Sequence, residues 1–335
     1  MLDVQTISNL ANRLHFVKGE INGWSAPDLK EVPQETLLLK MVENRTILRQ
    51  CQQLLQQITR DDFVFEWAFY QKNETFFKSV EKILMAQRML GLGDTRQGDS
   101  NGTILNALES LALTRHLKDV AFLDDFLKLE RFIISPILET FKTQRNNFSP
   151  ALRKLIIEKC LAVLDKWLPD EELLNRSVGY LKRFQVEIVE DLKKAEKEEL
   201  SKCGAEDAEE IKDYYSMCVK SASEPYTPEK LKKLEWGLKL IRAKLSLVLL
   251  DQGLQNYKEK ESDYPQKLEE LIPDFIPYRV VDPFGQTAFL YERMDSSAYV
   301  LQSAGYNGLT ELQKSGGHPL MLRVWNDCVV EGEAP

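Results

Sequence analysis

The chain has 335 residues, 43% hydrophobic and 29% charged, with 44 basic against 52 acidic side chains and a formal charge of −8. That length exceeds most single cores and favours two domains, and the composition is globular rather than disordered or fibrous. Net acidity without a basic block argues against nucleic acid as a partner, since phosphate neutralisation needs clustered Lys and Arg. Lys230, Lys232 and Lys233 are interleaved with Leu231, Leu234 and Glu235 and read as one solvated helix face.

No run of about twenty apolar residues occurs, so no membrane span is expected. Met1-Leu2-Asp3-Val4-Gln5 has no basic segment followed by an apolar core, so no signal peptide is expected either. Those two readings leave a cytoplasmic protein or the soluble portion of a longer, anchored one. The five cysteines, Cys51, Cys160, Cys203, Cys218 and Cys328, form no CxxC pair, which removes zinc-ribbon and thioredoxin-like motifs. Cys51 and Cys160 lie in apolar-periodic stretches and read as buried thiols, while Cys203 and Cys218 flank a Gly-containing break and could pair in an oxidising compartment.

From Val4 to about Glu224 the periodicity is helical. Leu37, Leu38, Met41, Ile47, Leu48, Cys51, Leu54, Leu55 and Ile58 recur mostly at spacings near three and four, and Phe76–Leu90, Ile104–Leu117, Leu123–Phe141, Leu152–Trp167 and Leu173–Leu192 repeat the pattern. Breaks are expected at Gly91-Leu92-Gly93-Asp94, Gly98-Asp99-Ser100-Asn101-Gly102, Asn146–Pro150 and Pro169-Asp170. Ser149-Pro150 predicts a capped helix start, and Asp170 is expected to cap a second helix with Glu171 and Glu172 in its first turn. Residues 189–213, rich in Glu and Lys, read as a solvated helix or helical hairpin. No convincing self-similar period recurs, which argues against a repeat solenoid.

Thr227-Pro228 opens the most informative helix. One stripe runs Leu231, Leu234, Leu238, Ile241, Leu245, Val248, and a second runs Trp236, Leu240, Ala243, Leu247, Leu250, Leu254, Tyr257. At ~100° per residue the two stripes lie about 180° apart, so both faces must be covered. After Tyr264-Pro265 and a short helix over Gln266–Leu271, strands are expected at Thr287–Tyr291, Ala298–Gln302 and Leu320–Trp325, separated by turn-forming residues. The expected fold is thus α+β and predominantly α. An all-helical domain spans 1–225, and 226–335 forms a module in which the long helix packs on a three-stranded antiparallel sheet.

The series Tyr264-Pro265-x-x-Leu268-x-x-Leu271, Asp282-Pro283-Phe284-Gly285, Phe289-x-Tyr291 and Tyr299-x-Leu301-x-Ser303-x-Gly305-x-Asn307-Gly308 resembles the C-terminal region of type II secretion major pseudopilins. The match covers about residues 238–326. It implies a pilin-like head, a helix ending at Tyr-Pro and closed by three antiparallel strands. Two departures stand out. Glu and Lys crowd the helix upstream of Trp236 where a pilin has an apolar fibre-forming half-helix, and the loop that holds calcium in that family retains one carboxylate, Glu311, between Leu309 and Pro319. Calcium wants six or more oxygens, several charged, so no metal is expected. The whole chain is also similar, more loosely, to uncharacterised bacterial envelope proteins of planctomycete-like genomes.

No catalytic, cofactor-binding or metal residue is assigned, and no cofactor or small-molecule substrate is expected. Gly98-Asp99-Ser100-Asn101 and Gly317-His318-Pro319 are similar to the nucleophile and histidine blocks of one esterase family. Yet Ser100 follows no strand, and Ser315 stands three before His318 where an orienting Asp belongs. His15 and His116 have no ligand partners at metal spacing, and Gly91-x-Gly93 lacks the Lys-Ser/Thr of a phosphate loop. Asn44, Asn73, Asn101, Asn147 and Asn175 begin Asn-x-Ser/Thr triplets expected by chance at this length. The expectation is a non-catalytic structural or interaction protein of a bacterial cell envelope, with protein partners. An intracellular helical adaptor is the alternative, and a hydrolase ranks third.

Overall fold

A computed structural model describes residues 4–14, 33–55, 67–120, 141, 147–165, 167, 169–202, 204, 207–223, 228–285, 287–296, 298–304 and 329–332. The helices are α1 (Val4–Ala11), α2 (Gln34–Leu55), α3 (Trp67–Arg96), α4 (Ser100–Val120), α5 (Pro150–Leu164), α6 (Asp170–Leu200), α7 (Ala208–Ser223) and α8 (Pro228–Glu261). A 3-10 turn at Leu268–Leu271 and the strands β1 (Leu290–Arg293), β2 (Tyr299–Gln302) and β3 (Val329–Gly332) follow. The protein is predominantly helical with a small antiparallel sheet.

Helices α1 to α4 pack on one another, α5 joins α4 to α8, and α6 and α7 form a hairpin whose first helix also touches α8 and α3. Ser149 caps α5 by accepting from the Leu152 N–H at 3.3 Å, with Pro150 in the first turn. Asp170 does not cap α6 as expected. Pro169 occupies the cap position, and the Asp170 carboxylate instead accepts from Arg242 at 2.9 Å and from the Trp167 indole at 3.2 Å. The competing partners are charged or rigid donors, which outweigh a local backbone amide.

The break expected at Gly91–Asp94 is also corrected, because α3 runs unbroken to Arg96. Helix α4 packs on α3 at this level, where Thr103 Oγ1 donates to the Gly91 carbonyl at 3.2 Å. The glycines are carried within a helix held by its neighbour rather than ending it. The chain turns at Gly98 (φ +75°), and the Asp99 carboxylate accepts from the Gly102 N–H at 2.8 Å at the start of α4.

Both stripes of α8 are covered. Leu234, Leu238, Ile241, Leu245 and Val248 are buried on one, Ala243, Leu247, Leu250 and Leu254 on the other. Helix α8 touches α5 and α6, and also β2, β3 and the 3-10 turn. Trp236 meets Phe284 edge-on at 5.3 Å, and Tyr257 meets Phe275 at the same separation. The buried apolar residues from Ile7 to Leu301 form one contiguous cluster.

Strands β1 and β2 pair antiparallel, Leu290 opposite Gln302 and Arg293 opposite Tyr299. The first strand begins later than the expected Thr287, since residues 281 and 288 make only an isolated bridge around the intervening turn. The second begins at Tyr299, one residue beyond the expected Ala298. The third expected strand, Leu320–Trp325, lies outside the described residues. Val329–Gly332, which the sequence reading did not mark, pairs antiparallel with β2. The short helix expected over Gln266–Leu271 is a 3-10 turn of its last four residues.

Candidate functional site

Two groups of hydrogen-bonded polar side chains stand out, one buried and one running from the interior to the surface. The first lies where α8 meets the sheet. Alternation along β2 turns Tyr299 and Leu301 inward, and both are fully buried. The Tyr299 hydroxyl donates to the Asp251 carboxylate of α8, which also accepts from the Gln252 amide at 3.0 Å. Asp251 and Gln252 are both at 0% exposure. The Tyr264 ring stands edge-on to Tyr299 at 4.7 Å, and its hydroxyl accepts from the Gln255 amide at 3.2 Å. On the same side, Tyr291 donates to the Pro265 carbonyl at 2.8 Å, and Arg293 bridges to Asp263 at 2.6 Å. Burial raises the Tyr291 pKa above the ordinary tyrosine range.

A step away, Asp282 is wholly buried and organises the Asp-Pro-Phe-Gly turn. Its carboxylate accepts from the Phe284 N–H at 3.0 Å, from the Ser303 hydroxyl at 2.9 Å to both oxygens, and from the Ala304 N–H at 2.5 Å. One side chain thus ties the turn to the end of β2.

The second group is a polar seam through α2, α3 and α4. Gln52 donates to Gln87 at 2.8 Å and to Glu109 at 3.0 Å. Gln87 donates to Asn106 at 2.6 Å and to Glu109 at 3.0 Å. Asn106 donates to Asp94 at 2.5 Å, and Arg45 stands 3.7 Å from the other Asp94 oxygen. Burial, opposed by Arg45, raises the Asp94 pKa above its ordinary value.

Gly98 and Asp99 of the esterase-like block lie in the turn between α3 and α4, whereas Ser100 and Asn101 form the start of α4 rather than part of the expected connecting loop. His116 lies on α4, while His15, His318, Ser315 and the loop carrying Asn307 and Glu311 fall outside the described residues. Among the described residues no group of three or more His, Cys, Asp or Glu side chains is placed to hold a metal ion. No described helix is long and apolar enough to cross a membrane. Burial pushes the Cys51 thiol up to about 11 and the Cys160 thiol up to about 12. Cys218 is a free thiol, and Cys203 lies outside the described residues. An open hollow of about 430 Å³ is lined by Pro169, Glu171, Glu172 and Asn175 at the start of α6.

Sequence reasoning placed Asp282 in a turn but did not mark it as a buried hub, and it assigned no role to Asp251. A signal existed for Asp251, since Asp251-Gln252 interrupts an otherwise apolar stretch of α8 and a buried carboxylate needs donors. No family model matches the sequence, and neither a curated protein nor a solved structure gives a significant match.

Proposed function

We propose that this chain is a non-catalytic structural or interaction protein of a bacterial cell envelope, working beside a secretion or pilus-like system and binding other proteins. Its C-terminal part, α8 with a three-stranded antiparallel sheet, is read as a pilin-like head. The observation that carries this reading is the Asp282 carboxylate. It joins the Asp282-Pro283-Phe284-Gly285 turn to Ser303, two separated pieces of the motif series on which the pseudopilin resemblance rests. The buried carboxylates Asp251 and Asp282 are engaged by donors within the fold and closed to solvent, which suits a scaffold.

The test uses the native gene, expressed from its own locus with an epitope tag and the cells fractionated. Recovery with the envelope, and cleavage by protease added to spheroplasts, is the expected result. Recovery in the cytosolic fraction alone, protected from that protease, would select the intracellular adaptor instead.

A further inference from the structure

The α6/α7 hairpin carries a surface whose pattern is complementary to itself. Helix α7 packs on α6 through Ile211, Tyr215 and Cys218, which are half-buried, and Tyr215 donates to Glu199 of α6 at 2.8 Å. Among the described elements α6 is the main neighbour of α7. The opposite face presents Glu210, Asp213, Tyr214, Met217 and Lys220, all exposed. Their spacing of three and four places them on one side of the helix. Tyr214 is 58% and Met217 62% exposed, large apolar surfaces for residues beside one another on a solvated helix.

The order along that face is acid, acid, aromatic, thioether, base. Two copies of α7 laid antiparallel across a two-fold axis between Tyr215 and Ser216 bring Tyr214 of each against Met217 of the other. The same axis carries Lys220 of each copy to the level of residue 211 on the other, between Glu210 and Asp213. A parallel pairing would oppose acid to acid and lysine to lysine. We propose that α7 is a homodimerisation surface, and that its occupant is the α7 of a second copy in this antiparallel register. A two-fold contact must be self-complementary, and this face meets that condition in both charge and apolar pattern. A helix of 16 residues is ~24 Å long, which puts the contact at the small end of interfaces.

The test is sedimentation equilibrium of the full chain from about 5 to about 500 µM, the weak-association regime of a small contact. Wild type should pass from monomer to dimer. Met217→Glu and Lys220→Glu should each weaken association about tenfold or more while leaving the monomer folded, with at most a small change in its melting temperature, because the side chains are exposed. Glu210→Lys/Asp213→Lys should do the same alone, yet mixing it with Lys220→Glu should restore a heterodimer. Wild type that stays monomeric throughout overturns the proposal. So does a dimer indifferent to these substitutions, and so does failure of the mixture to associate.

Discussion

Asp282 is wholly buried and receives hydrogen bonds from three groups, so its removal takes this acceptor from each of them. Asp282→Ala should cost about 1–3 kcal/mol, the loss expected when a buried hydrogen-bonded group loses its partner. Asp282→Asn keeps one acceptor oxygen and should fall between. Tyr299→Phe leaves the buried Asp251 carboxylate with one donor fewer and should cost about 1.5–3 kcal/mol. Urea titrations give both values, and a loss below about 0.5 kcal/mol in either would show that water replaces the missing partner.

Asp94 makes the opposite kind of contribution. Its folded pKa lies above the unfolded one, so the folded state binds the proton more tightly. Its contribution is fully present below the unfolded value, near 3.8, and is lost as pH rises through the folded value. The stability of wild type relative to Asp94→Asn should therefore fall across that window and be level above it. A flat difference between acid and neutral pH would show that Arg45 and Asn106 fully offset the burial.

At the scale of single elements, two glycines separate propensity from packing. A side chain at Gly253 of α8 would come within 2.8–2.9 Å of Ile276 and 3.4 Å of Leu271, whereas one at Gly179 of α6 would meet nothing within 4 Å. Gly179→Ala should stabilise by about 0.5–1 kcal/mol through helix propensity. Gly253→Ala gains the same propensity and should still be net destabilising, by about 1–2 kcal/mol, because Ile276 sits in a packed core. Calorimetric melts of the two variants should move in opposite directions.

The elements also show what could be read in advance. The two stripes of α8 were legible because apolar spacing reports burial directly, and Ser149-Pro150 because a cap is a local signal. The unbroken α3 was not. Gly91 and Gly93 carry the same letters whether a helix ends or continues, and the packing of α3 against its neighbours decides. Asp170 failed for a related reason, since its partner Arg242 lies 72 positions away. The hubs at Asp251 and Asp282 were illegible as sites, because a buried carboxylate is defined by donors that arrive from distant strands.

At the scale of the molecule, α8 is shared. Leu245 and Leu247 are both at 0% exposure on opposite stripes of that helix. Each substitution by alanine should cost about 2–5 kcal/mol. The apolar cluster is contiguous through α8. Melting should therefore remain a single cooperative transition in wild type and in both variants. Two resolved transitions would mean that the helical part and the sheet part unfold separately in spite of the shared helix.

The covering of α8 on two sides also has a consequence in time. An amide proton in an exposed helix can escape by fraying of a turn, but the backbone between Leu245 and Leu250 can reach water only when the flanking layers on both sides separate. Deuterium should enter those amides last, at a rate set by global opening of the protein. It should enter the α6/α7 hairpin early, because α7 is backed chiefly by a single helix. A two-sided spine is therefore a clock as well as a scaffold, and the order of isotope uptake along the chain reads it.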